Sequence, residues 1–210
     1  MQPRRKKLSP CKSATNFGIA LVLALVWGAC SPQPYIKVSY QLPPPENALD
    51  GKSLSLAIAG DGKNEVSIGQ NAKKSLEDFN GTFTLVVRRE NGTGDLVGIY
   101  RLSSLLSEVF THRLQQLGIH VTTAADNVLE LKITLKRFNL DLTDRKWVVD
   151  MAYRADLIRD GRVLSGQTIS GQAQRLNVMG KSDVEKLIGE LLSDMVNRLD
   201  VVQLFQQAGA

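Results

Sequence analysis

The residues able to do chemistry in this chain are few, and their spacing decides what they can do. Two cysteines, Cys11 and Cys30, and two histidines, His112 and His120, occur in 210 residues. A thiolate serves as nucleophile or metal ligand, but Cys30 ends an apolar run, LVLALVWGAC, remote in sequence from both histidines. The histidines are eight residues apart, which is no zinc-ligand spacing, so surface or boundary positions are expected for both. Asp141, Asp144, Asp150 and Asp156 could supply a carboxylate pair for acid–base work. Strand alternation puts Asp150 and Asp156 opposite Trp147, however, and that implies a solvated sheet face. Gly60-Asp61-Gly62 and Gly92-Thr93-Gly94 lack the further glycines of a dinucleotide loop and the Lys-Ser/Thr of a P-loop. Ser170-Gly171 lacks the glycine frame of a nucleophile elbow. The expectation is a protein that is not an enzyme and has no cofactor, no metal and no catalytic residue.

The first 29 residues are unlike the rest. They carry Arg4, Arg5, Lys6, Lys7 and Lys12 with no acidic residue, then an uncharged run from Phe17 to Trp27, then Gly28-Ala29. A basic start, a short apolar middle and small residues before a cut describe a secretory signal peptide. A membrane span needs about 20 apolar residues, and this run has roughly half of that. Taking the five basic residues of the leader from the 26 in the chain leaves 21, against 21 acidic residues. A mature chain near neutrality lacks the cationic excess that drives phosphate-backbone binding. No nucleic-acid partner is expected. Cys11 leaves with the leader, so Cys30 becomes a single thiol at the new N-terminus, unable to form an internal disulfide.

Val26-Trp27-Gly28-Ala29-Cys30 resembles the lipobox of bacterial lipoproteins, in which small residues precede a cysteine that receives a diacylglycerol. Trp27 stands where that family usually has leucine. The resemblance makes Cys30 the lipid-attachment residue. The physics agrees, because stable anchoring requires two acyl chains or more. Ser31 after the cysteine is typical of lipoproteins delivered to the outer membrane, facing the periplasm.

Several elements must position whatever the mature chain presents. Residues 30–52 hold Pro32, Pro34 and Pro43-Pro44-Pro45 and read as a stiff tether, with one β-rich stretch from Tyr35 to Leu42. Residues 53–210 read as one domain. SLSLAIAG is a strand and Asp61-Gly62-Lys63-Asn64 a turn; Asn80-Gly81 and Asn91-Gly92 are hairpin signals flanking the strand TFTLVVRRE. Leu102, Leu105, Leu106, Val109, Phe110 and Leu117 follow helical spacing, with Gly118 placed to end the helix. A second helix runs through Val184, Leu187, Ile188, Leu191, Leu192, Met195, Val196 and Leu199, with Ser182 as expected N-cap and Glu185 reaching back. Between the helices lies a strand meander. Leu129, Leu131, Ile133 and Leu135 alternate, then Phe138, Leu140 and Leu142 resume in the opposite phase, so a bulge is expected at Lys136-Arg137. The next strand keeps phase from Trp147 to Leu157. Asp160-Gly161 then turns it into VLSGQTISGQAQRL, whose polar, glycine-bearing composition suits an edge strand. The fold class expected is α+β: an antiparallel, meander-rich sheet with two amphipathic helices on one face.

The runs LELKITLKRFNLDL, VVDMAYRADLIRDGR and LLSDMVNRLDVVQLFQQAG resemble the YajG-like outer-membrane lipoproteins, over most of residues 53–208. At Asp61-Gly62-Lys63 this chain departs from the Asp-x-Arg usual there. The role of that family is undefined, so the resemblance implies location and fold. The expectation is a lipid-anchored envelope protein that binds an envelope protein partner through its sheet or exposed edge. The alternative is an auxiliary lipoprotein of an ABC-type lipid transport system. An apolar groove between helices and sheet would favour transport, and a filled core would favour the scaffold.

Overall fold

The computed structural model describes residues 34–60, 66–123 and 129–210. The leader, Cys30 and the expected turn Asp61-Gly62-Lys63-Asn64 lie outside the described residues. In chain order the elements are β1 (Tyr35–Gln41), β2 (Ser53–Gly60), β3 (Val66–Ile68), α1 (Gln70–Ser75), β4 (Thr82–Arg88), β5 (Gly94–Arg101), α2 (Leu102–Gln116), β6 (His120–Thr122), β7 (Leu129–Thr143), β8 (Lys146–Arg159), β9 (Arg162–Leu176), α3 (Lys181–Asn197) and α4 (Val201–Ala208). The α+β class is as the periodicity implied.

The strands form two sheets. The larger has the order β6-β2-β7-β8-β9, with β3 also on β7; the smaller has the order β1-β4-β5. The antiparallel meander β7-β8-β9 is present as expected. The rest of the pairing corrects the antiparallel expectation, because β2, β3 and β6 join their neighbours in parallel and β1 lies parallel to β4. Parallel neighbours need long crossovers, and local alternation carries no information about them.

The bulge falls where the phase change put it. Leu135 pairs with Tyr153 and Arg137 with Ala152, leaving Lys136 as the extra residue. Leu129 to Leu135 and Phe138 to Leu140 therefore bury the same face of β7. On the other side of β7 the parallel partner changes at the same place, from β2, ending at the Gly60–Leu135 pair, to β3, starting at the Val66–Phe138 pair.

Both long helices cover that buried face, and Tyr153 of β8 touches each. Its ring meets Phe110 of α2 edge-on at 5.4 Å, and its hydroxyl donates to the Met195 carbonyl of α3 at 2.9 Å. Phe83 of β4 meets Phe138 of β7 at 6.4 Å, so the small sheet packs over the same side. Trp147, Val149, Tyr153, Leu106, Val109, Val184 and Met195 are fully excluded from solvent within one continuous core.

The stretch read as a tether enters this body well before Ser53. The compact unit begins at Pro34, and Ile36, Val38 and Tyr40 of β1 are fully buried. The proline-rich segment after β1 then caps α2. Glu46 N–H donates to the Gln116 carbonyl at 3.0 Å and Leu49 N–H to the Leu117 carbonyl at 2.8 Å, filling acceptors that a helix end leaves open. Gly118 ends that helix at φ +85°, and a Cβ there would stand 2.9 Å from Asp50 Cα. Asn91-Gly92 forms the β4–β5 hairpin turn, whereas Asn80-Gly81 leads into β4 from α1 and closes no hairpin. Each asparagine folds onto the threonine of its own turn, Asn91 Oδ1 accepting from Thr93 N at 3.0 Å and Asn80 Oδ1 from Thr82 N at 3.1 Å.

Candidate functional site

The side chains singled out for chemistry are dispersed. His112 lies on α2 beside Glu108 at 3.6 Å, while His120 is exposed at the start of the short β6. Asp141 Oδ1 accepts from the Leu142 backbone at 2.8 Å, and Asp144 occupies the β7–β8 turn at φ +50°. Asp150 is held by two hydrogen bonds from Arg137, at 2.6 and 3.0 Å, and Asp156 by two from Arg154 Nε, at 2.9 and 3.0 Å. Asp150 and Asp156 thus each have an arginine partner on the outer sheet face. Arg137 and Arg154 both have raised pKa values, first through these side-chain hydrogen bonds. Among the described residues no group of three or more histidines, cysteines or acids could hold a metal.

What the fold does present is an edge. Strand β9 is bonded to β8 on one side and ends the sheet on the other. Its inner residues, Ser165 and Ile169, are buried, while Gly166, Thr168, Ser170, Gln172 and Gln174 are exposed. The Ser170 carbonyl accepts from Arg198 Nη2 at 3.2 Å, so it points away from β8. In an antiparallel ladder a residue's N–H and C=O point the same way and alternate along the strand. The edge-directed amides are therefore those of Thr168, Ser170 and Gln172. The expected edge strand is where the composition placed it.

A second feature was not foreseen. Helix α3 lies along the open edge of β1 and supplies hydrogen bonds in place of a neighbouring strand. Glu185 Oε1 accepts from Lys37 N at 3.0 Å, Ser193 Oγ from Gln41 N at 2.9 Å, and Asn197 Nδ2 donates to Gln41 O at 3.1 Å. Asn197 Oδ1 also accepts from the Tyr40 hydroxyl at 2.8 Å. Burial raises the pKa of that phenol, an effect partly offset by the Arg113 guanidinium. The four positions 185, 189, 193 and 197 recur every fourth residue, so they share one helix flank. That row of polar and small residues beside the apolar stripe was the signal available in the sequence.

The expected capping box is not formed, because Glu185 serves β1. Gly180 is the N-cap, with no side-chain cap bond. Asp183, itself buried, instead turns back to the preceding loop, its Oδ2 accepting from Val178 N at 2.8 Å and Met179 N at 2.5 Å. These backbone donors, Met179 first, hold its carboxyl below the usual range. Between β1 and α3 lies a groove of about 710 Å³, lined by Lys37, Gln41, Arg88, Glu185, Lys186 and Glu190 among others. Its rim is charged.

No protein-family model matches the chain, and no curated protein matches it. Solved structures do. A Xanthomonas campestris protein of the DUF330 family aligns over 82% of this chain and 96% of its own, at 16% identity and TM-score 0.49. The rare lipoprotein B of Shewanella oneidensis aligns over 74% of this chain and 97% of its own, at 12% identity and TM-score 0.40. A homologue of neuraminyllactose-binding hemagglutinin from Helicobacter pylori aligns over 80% and 92%, at 9% identity and TM-score 0.35.

Proposed function

We propose that this chain is a lipid-anchored protein of the cell envelope, held at the outer membrane through Cys30 and facing the periplasm. In this reading it is not an enzyme, and it binds an envelope protein by accepting a strand on β9. The observation that carries the proposal is the one-sided pairing of β9, fifteen residues from Arg162 to Leu176. Backbone groups on such an edge supply affinity to any extended segment laid beside them. The lipobox-like Val26–Cys30 and the YajG-like runs between Leu129 and Gly209 support the location.

The transport alternative calls for an apolar groove between helices and sheet. That space is filled by the core around Phe110, Tyr153 and Met195, and the groove at β1 is rimmed by charge. Both favour the scaffold.

The test uses the full-length lipidated protein in intact envelopes, with a photoreactive side chain at Gln174. A discrete adduct is expected, and it should disappear when Ser170→Pro removes an edge-directed amide without touching the β8 ladder. Thermal melting verifies that the variant is folded. An adduct of unchanged yield in the folded proline variant would contradict strand addition.

A further inference from the structure

Leu176, Val178 and Met179 are 59%, 80% and 66% exposed, three of the seven large apolar side chains left in solvent among the described residues. They fall within four consecutive positions, at the end of β9 and in the connection that leads to α3. This loop is not slack. Asp183 clamps the Val178 and Met179 amides, and Asn177 N–H donates to the Arg145 carbonyl at 2.8 Å. The backbone is fixed in a form that holds apolar side chains outward.

Cations stand around this tip. Lys146 pairs with Leu176 across β8 and β9, Arg145 is bonded to Asn177, and Lys74 shares a shallow depression with Arg145 and Asn177. Lys181 follows the loop, its Nζ 5.6 Å from the centroid of the Tyr35 ring. Asp144 lines the same depression as Arg145, and Arg175 is neutralised by Glu190 at 2.8 Å. An apolar tip with a basic rim matches the boundary between acyl chains and anionic headgroups.

The position of Tyr35 says which surface this tip meets. Only four residues, Ser31 to Pro34, separate Cys30 from Tyr35. A chain spans at most about 3.6 Å per residue, so acyl chains on Cys30 would hold Tyr35 within roughly 18 Å of the headgroups. Lys181 lies against Tyr35, and only Gly180 separates Lys181 from Met179. The leash is short enough to bring the tip to the bilayer that holds the anchor.

We propose that Leu176, Val178 and Met179, rimmed by Arg145, Lys146 and Lys181, dock on the phospholipid surface beside the lipidated N-terminus. The protein thus contacts the membrane at two points and holds a fixed orientation, with β9 rising from it. This inference rests on the lipid-anchor reading of Cys30.

The experiment places an environment-sensitive fluorophore on Val178→Cys in the full-length protein, reconstituted in vesicles of phosphatidylethanolamine and phosphatidylglycerol. Asp160→Cys, at the opposite end of the β8–β9 hairpin and about 45 Å away along the strands, is the control. A thioether at residue 30 does not take the label, and the mass of the N-terminal peptide reports acylation separately. A blue shift at 178, quenched by lipid-borne nitroxide, with aqueous emission at 160, supports docking. Aqueous emission at 178 in an acylated protein overturns the docking and leaves the anchor standing. An unacylated N-terminal peptide overturns the anchor and the docking with it.

Discussion

Gly189 of α3 lies against the backbone of Ser39 in β1, so close that a Cβ on Gly189 would stand 2.7 Å from the Ser39 carbonyl oxygen and 3.1 Å from its nitrogen. Neither neighbour is the movable end of a side chain. Without this approach Glu185, Ser193 and Asn197 could not reach the edge of β1.

Gly189→Ala opposes two effects. Alanine favours a helix interior over glycine by about 1 kcal/mol, while overpacking of backbone on backbone costs about 1–3 kcal/mol and forfeits edge hydrogen bonds as well. The clash is expected to win. Chemical denaturation should show net destabilisation, and a variant more stable than the parent would mean that α3 does not bear on β1 this closely.

The bulge in β7 makes a sharper distinction. Deleting Lys136 leaves Leu135 opposite Tyr153 and Arg137 opposite Ala152, so the ladder closes with every apolar side chain on its present face. Deleting Thr134 instead also closes the bulge but exchanges the faces of Leu135 and Lys136, so that a lysine takes the leucine's place in the core. The first deletion should melt cooperatively within several degrees of the parent, and the second should not fold. Equal loss from both would contradict the register.

Asp183 predicts a pH dependence. Its folded pKa lies below the ordinary value of 3.8 because the Met179 and Val178 amides stabilise the carboxylate. A depressed folded pKa contributes stability that is present above the unfolded value and is lost as pH falls through the folded one. Hydrogen exchange at the Val178 and Met179 amides should therefore be slow near neutrality and lose protection below about pH 4. Asp183→Ala should remove the protection at neutral pH, and slow exchange in that variant would contradict the clamp.

Arg113 is a buried cation on α2 whose Nε and Nη1 make no hydrogen bond among the described residues, with Glu46 at 3.8 Å from Nη2. Replacing a poorly compensated buried charge by an apolar side chain of similar length is neutral or stabilising by about 1–4 kcal/mol. Arg113→Met should hold or raise the melting temperature. A loss of several kcal/mol would show that the guanidinium is better satisfied than its contact with Glu46 implies.

How much of this was legible varies with the range of the interaction. The phase flip between Leu135 and Phe138 gave the bulge through period-two alternation, and the polar, glycine-bearing composition from Ser165 to Gln174 gave the edge. The stripes ending at Leu117 and Leu199 gave two helices on one face. The separate sheet of β1, β4 and β5 was not legible, because pairing Tyr35–Gln41 with Thr82–Arg88 depends on partners far along the chain. The prolines at 43–45 read as a tether, although the segment after them caps α2 through the Glu46 and Leu49 amides. Ser182 and Glu185 fit a local cap, but β1's open amide took the glutamate. The chemistry-bearing residues were legible as types, and their dispersal over separate elements had to come from the fold.

If acyl chains on Cys30 hold this body at a bilayer, the mass of the N-terminal peptide from the native protein must show them. The expected product starts at residue 30 and carries a diacylglycerol thioether. A free thiol at Cys30, or a leader still in place, would rule out the lipid anchor.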